Sequence, residues 1–157
     1  MRVITTGWRH WTGSTINVNR LHLVLDHILT LASIGGHREI QFIHGDGAGA
    51  DQETQQWWSV NAPMRLGVEL PEPLKFPADW VHYGKAAGPL RNAAMVTAGA
   101  DLCVAFMHPT SKGTVDCRDK AKRARILTLQ VDWVDDPLHV PPLLRKEPDA
   151  LPFPRAA

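Results

Sequence analysis

The sequence is poor in cysteine, in tyrosine and in net charge. Its 157 residues include two cysteines, one tyrosine and a formal charge of +1. Cys103 and Cys117 show neither a metal-ligand spacing nor a disulfide framework. A charge so close to zero excludes a global field that would draw nucleic acid or a membrane surface. No apolar run is long enough to span a bilayer. The first residues, Met1-Arg2-Val3-Ile4-Thr5, read as a strand and lack the layout of a secretory leader. The expectation is a cytoplasmic protein, and nothing in the chain calls for a metal or a cofactor. What is present is a hydrophobic fraction of 44% and a charged fraction of 21%, the balance of a globular protein. The length suits one domain with a sizeable core.

Glycine and proline divide the chain into alternating short strands and helices. Val3 to Thr6 is predicted as a buried strand that stops at Gly7-Trp8-Arg9. Residues 10–17 are polar and turn-rich. Val18, Leu21, Leu25, Ile28 and Ala32 then fall at helical spacing until Gly35-Gly36. Glu39 to His44 is the second strand, and Asp51 to Asn61 the second helix, stopped by Pro63. Its Trp57 and Trp58 cannot face the same way. Either one packs on the sheet and the other is exposed, which suits contact between copies in a homodimer or higher oligomer, or both are partly buried within the domain. Gly67, Pro71, Pro73 and Pro77 forbid a long central strand, so the third is short, near Leu74 to Phe76. Ala78 to Lys85 reads as an irregular loop, and Gly88-Pro89 opens a helix to about Ala98. Asp101 to Phe106 is the fourth strand, apolar on both faces as in a parallel sheet. Gly113-Thr114 opens a helix to about Ala124, and Ile126 to Val131 is the fifth strand. From Pro137 onward six of twenty-one residues are proline, which predicts an extended tail.

This alternation predicts an α/β, Rossmann-like three-layer fold with a parallel sheet of about five strands, over residues 1–134, followed by a Pro-rich tail, 135–157. Right-handed crossovers put the carboxyl ends of all strands on one edge, where ligands of such folds bind. The chain is organised around His44-Gly45-Asp46-Gly47-Ala48-Gly49-Ala50-Asp51. Glycines there allow a sharp turn and a close approach to a ligand. The free N–H groups of the helix that follows can face an anion. Plain tight turning is the alternative.

The motifs come in a telling order: Thr6-Gly7-Trp8-Arg9, the His44 to Asp51 stretch, Phe76-Pro77-Ala78-Asp79-Trp80, Gly84-Lys85-Ala86-Ala87-Gly88-Pro89-Leu90-Arg91-Asn92 and Lys112-Gly113-Thr114. Together they resemble the YspA-related branch of the SLOG superfamily, over roughly residues 2–131. That superfamily is Rossmann-like and includes DprA and the LOG phosphoribohydrolases. The resemblance implies binding of a nucleotide or nucleotide-derived ligand, and many YspA-related proteins are of phage or mobile-element origin. Members that hydrolyse carry Gly-Gly-x-Gly-Thr-x-x-Glu at the last turn. This chain has Thr110 and Ser111 for the first two glycines and Cys117 at the glutamate position. A thiol is a poor substitute for a carboxylate that stabilises an oxocarbenium-like centre or handles a proton. Asp116 is one residue off, about 100° round the helix.

The candidate ligand-binding residues are Gly7, Arg9, Gly45, Gly47, Gly49, Asp51, Lys85, Gly88, Arg91, Asn92, Gly113 and Thr114. Arg9 can fork onto a phosphate or lie on the surface. Arg91 sits in the first turn of a helix, where a cation opposes the dipole, so an anion nearby would explain it. Asn92 reads a base or ribose, or bonds locally. Lys85 contacts phosphate or solvent. Asp51 caps its helix or contacts a ribose. Gly113 and Thr114 hold phosphate, or Thr114 caps. Weak catalytic candidates are Asp46, Asp51 and Asp79. Trp8, Trp11 and Trp80 lie near the edge, to stack on a base or to serve structure. His44 and His108 read more readily as solvated than catalytic. The basic run Arg118, Lys120, Lys122, Arg123 and Arg125 reads first as a solvated helix surface and second as a nucleic-acid patch.

Three functions are ranked in this order. The first is a sensor or sequestering module for a nucleotide-derived small molecule. The second is a nucleoside-monophosphate phosphoribohydrolase cleaving the N-glycosidic bond, with an aspartate in place of the missing glutamate. The third is a DNA-binding module related to DprA.

Overall fold

A computed structural model describes residues 1–64 and 67–135. The tail from residue 136 on, expected to be extended, lies outside them. Strands β1 (Arg2–Gly7), β2 (Gln41–His44), β3 (Leu74–Lys75), β4 (Leu102–Met107) and β5 (Leu127–Asp132) form one parallel sheet in the order β3-β2-β1-β4-β5. Helices α1 (Thr15–Ile34) and α2 (Ala50–Asn61) pack with one face; α4 (Ala87–Thr97) and α5 (Lys112–Arg123) pack with the other. This is the expected Rossmann-like three-layer α/β fold.

Strand alternation feeds the two layers. Val3, Phe42, Leu102 and Val104 join the core beneath α1 and α2, whereas Ile4, Ile43 and Cys103 meet Met95 of α4 and Ala121 of α5. Cys103 is fully buried, as its apolar run implies. Chain order reverses between β1 and β4, since β2 and β3 extend one way and β4 and β5 the other. That reversal opens the crevice in which such sheets bind ligands.

Several elements depart from the sequence reading. Helix α1 begins three residues before Val18, because Ser14 caps it by accepting from the Asn17 N–H. Asn17 is buried and bonds both the carbonyl and the N–H of Val134, pinning the end of the last strand to α1. The segment expected as a loop at 78–85 contains a short helix, α3 (Trp80–Tyr83), with Asp79 as its cap through the His82 N–H, and then a single 3-10 turn, Gly84–Ala86. Four residues are too few for any periodic signal, so only the capping aspartate marked it.

The tryptophan pair matches neither alternative in full, because one ring enters the core and the other is neither exposed nor covered. Trp57 is buried on Phe42, and Trp58 is half-buried with its Nε1 donating to the Leu70 carbonyl at 3.0 Å. The large apolar side chains left exposed near the sheet's carboxyl edge are Trp80, Val81, Tyr83 and Leu90. No helix among the described residues is long and apolar enough to cross a membrane.

Candidate functional site

The loops that follow β1, β2, β3 and β4 surround a cleft of about 1000 Å³ at the carboxyl edge of the sheet. Gly7 and Arg9 come from the first, Gly45, Gly47 and Asp51 from the second, Arg91 from α4, and Gly113 and Thr114 from the start of α5. Arg9, Arg91 and Gly113, far apart in sequence, therefore share one cavity. Thr6, Trp8, Asp46, Ala48, Pro77, Ala78, Trp80, Thr110, Ser111 and Lys112 complete the lining. Of these, Lys112 was not picked out from the sequence as a ligand residue. Its position beside the Gly113-Thr114 helix start was the available signal.

The glycine-rich turn after β2 is already filled. Asp51 is buried, and one carboxylate oxygen accepts the N–H groups of Gly45 and Gly47, each at 3.1 Å. The Arg91 guanidinium lies 3.9 Å from the same oxygen. Asp51 thus occupies the place an anion would take. It is neither the cap of α2, which is Gly49, nor a free ribose contact. This corrects the view of the turn as an open phosphate cradle. Burial pushes the Asp51 carboxyl above the ordinary carboxylate range, against the opposing pull of His44, Arg91 and the two backbone N–H groups. Between the unfolded and folded values the native state holds the extra proton, so this group's contribution to stability falls as pH rises through that window. The stability of the wild type relative to Asp51→Asn should therefore improve as pH is lowered toward the ordinary aspartate value of about 4, measured by urea unfolding. A difference that does not change with pH would overturn that assignment.

His44 is buried rather than solvated. Its Nδ1 accepts the Asp46 N–H at 3.1 Å, which leaves the proton on Nε2 to meet Gln55 Oε1 at 3.2 Å. Asp46, at φ 53°, is held by this bond in the left-handed region with its carboxylate on the cleft.

Arg91 is held as firmly as it is placed. Its Nη1 donates to the Gly45 carbonyl at 2.5 Å and its Nε to Asn92 Oδ1 at 2.9 Å. Its Nη2 makes no hydrogen bond among the described residues. Asn92 does not reach the cleft. It is buried, donating to the Gly113 carbonyl at 3.0 Å and to Asp116 at 2.9 Å, and so joins α4 to α5. Three more expected ligand residues lie outside the lining. Gly49, at φ 79°, lets the backbone of Trp8 and Arg9 pass close by. Gly88 accommodates the Trp80 ring, and Lys85 is exposed on the 3-10 turn. Asp79 is committed to His82, through its N–H at 3.1 Å and its ring Nδ1 at 2.6 Å.

The start of α5 differs from that of α2. Ser111 occupies the cap position, but its hydroxyl exchanges bonds with the backbone of His108 and does not cap. Thr114 borders the cleft and is 2% exposed, and its Oγ1 has no hydrogen-bond partner among the described residues. A buried hydroxyl without a partner is costly. It sits beside uncapped helix N–H groups, with Lys112, Arg91 and Arg9 around the same space. Cys117, one turn further on, is fully buried and outside the lining; contact with the Cys103 thiol holds it below the ordinary thiol value.

Aromatic side chains brace the rim. Trp8 stacks flat on His108, with centroids 3.7 Å apart and planes 8° apart, and meets Trp133 edge-on. Trp11 is fully buried and structural, its Nε1 donating to the Asn17 carbonyl at 2.8 Å. Trp80 is 56% exposed and borders the cleft. On α5, Arg118 pairs with Asp119 and Lys120 with Asp116, so part of the basic run is neutralised locally.

Fold and cleft together define a doubly wound parallel α/β protein with a pocket at its topological switch point lined by Arg9, Arg91 and Lys112 and by Asp46 and Asp51. No family model matches the sequence. The chain is 36% identical over 130 residues to the gene 61 protein of Mycobacterium phage D29, a match that covers 80% of this chain and 91% of that protein. It belongs to the family of that phage protein.

Proposed function

We propose that this chain binds the phosphate of a nucleotide or nucleotide-derived small molecule in the cleft, as a sensor or sequestering module of the SLOG kind. The carrying observation is the buried, unpartnered hydroxyl of Thr114 at the uncapped start of α5. An anion there would accept from that hydroxyl and from helix N–H groups, and would face Lys112, Arg91 and Arg9. The compartment that goes with this reading is the cytoplasm.

Thr114→Val tests the reading because it separates binding from folding. The variant keeps the shape and removes a hydroxyl that no described residue satisfies. Folding stability by urea unfolding should stay the same or rise by up to ~1 kcal/mol. Affinity for AMP by titration calorimetry should fall about tenfold or more, the worth of one hydrogen bond to a charged group. Unchanged AMP affinity, or no AMP binding by the wild type, overturns the proposal.

One observation favours a hydrolytic second reading. Asp46 borders the cleft, and among the described residues its carboxylate makes no hydrogen bond, whereas Asp51 and Asp79 are committed elsewhere. It is the aspartate best placed to act on a bound nucleoside monophosphate. Base release from AMP by the wild type that is lost in Asp46→Asn would support that reading; no release from AMP, dCMP and similar monophosphates would leave binding alone.

A further inference from the structure

The cleft does not end at α2. Past Asp46 and Asp51 it opens into a second groove of about 450 Å³ along that helix, walled by Gln52, Gln55, Gln56 and Ser59. The two spaces share Asp46 and Asp51 as common walls.

Their chemistries differ. Arg9, Arg91 and Lys112 all belong to the first space. The groove has no cation among its lining residues; beyond the shared Asp46, Gly47, Ala48 and Asp51 its walls are three amides and a hydroxyl. Amides donate and accept equally well, which suits base edges, carboxamides and sugar hydroxyls. Gln55 is held by the buried His44, so one groove amide is fixed in place before anything arrives. A second anionic group would face carboxylates at a cost of about 1–4 kcal/mol per close pair.

Size points the same way. Pockets for drug-sized ligands span ~300–1,000 Å³. The first cleft, at about 1000 Å³, already stands at the top of that range, and the groove adds to it. A nucleoside monophosphate is too small to use both.

Building on the anion site at α5, we infer that the ligand is a phosphodiester or pyrophosphate with a second, non-anionic arm, and that this arm lies along the glutamine face of α2. Asp46, at the junction, accepts from a hydroxyl of the linking sugar.

AMP and NAD serve as probes, because NAD contains AMP and adds a second arm without a terminal phosphate. Both are titrated by calorimetry into the wild-type chain and into a Gln52→Trp/Gln56→Trp variant, which fills the groove from two exposed positions. NAD should bind the wild type about tenfold tighter than AMP or better. The variant should lose that margin while its AMP affinity stays within about twofold. If AMP binds and NAD is no tighter, or if the margin survives the tryptophans, the groove assignment fails and the anion site stands. If neither probe binds the wild type, the anion site fails and takes the groove assignment with it.

Discussion

Arg91→Ala should lose AMP binding by more than about tenfold and also lose about 2–3 kcal/mol of folding stability. Both effects follow from one guanidinium. It donates to the Gly45 carbonyl and lies 3.9 Å from Asp51, and it borders the cleft. Breaking a buried ion pair by removing one partner costs ~3–5 kcal/mol. A loss at or below the bottom of that range applies here, because the pair is a loose 3.9 Å and Asp51 keeps its two backbone N–H groups. Gly45→Ala is the companion variant. A methyl group at position 45 would overlap the guanidinium and displace it without removing its charge. The same loss of AMP binding is expected in both variants by calorimetry. Full AMP affinity in Arg91→Ala would overturn the role of this residue. Full affinity in Gly45→Ala alone would mean that charge matters and position does not.

Gly49→Ala should be the most damaging single methyl in the site, at about 3 kcal/mol or more by urea unfolding. Gly49 has φ 79° and ψ −121°, a backbone conformation that L side chains rarely adopt. Its Cβ would also overlap main-chain atoms of Trp8 and Arg9, which cannot turn aside as a side chain can. The loop carrying Arg9 would be pushed from α2, so the cleft would be damaged as well as the fold. Gly113→Ala is the contrast. It has no positive φ and nothing within 4 Å of the added methyl, so its stability should change by less than about 0.5 kcal/mol. Equal losses in the two variants would refute the distinction.

The sheet and its carboxyl-edge cleft were legible because they depend on patterns that survive in one dimension. Apolar runs such as Leu102 to Phe106 and breaks such as Gly35-Gly36 identify parallel strands and helix ends whatever their partners. Once the strands are parallel, the loops after Gly7, Gly45 and Lys112 must meet at one edge. The direction of individual hydrogen bonds was not legible. Asp51 follows a glycine-rich turn, and its sequence position fits a cap equally well; only folding shows its carboxylate turned back onto Gly45 and Gly47. Asn92 adjoins Arg91 but points to α5, because neighbours on a helix face different ways. Lys85 and Gly88 fell outside the lining because a 3-10 turn and α3 intervene where a loop was expected. The start of α5 was marked by Gly113-Thr114, but nothing in the sequence distinguished a spent serine cap from a working one.

The cross-ties among the loops bear on how fast and how tightly the pocket can work. Asp51 fastens the β2 turn to itself, Arg91 fastens that turn to α4, and Asn92 fastens α4 to α5. These segments have surrendered their conformational freedom at folding, so an arriving guest need not order them. Such preorganisation removes a penalty of about 0.5–1.5 kcal/mol for each side chain that would otherwise be frozen on capture. For the proposed ligand, association would then proceed at the speed of encounter, and discrimination would rest on how long each candidate stays.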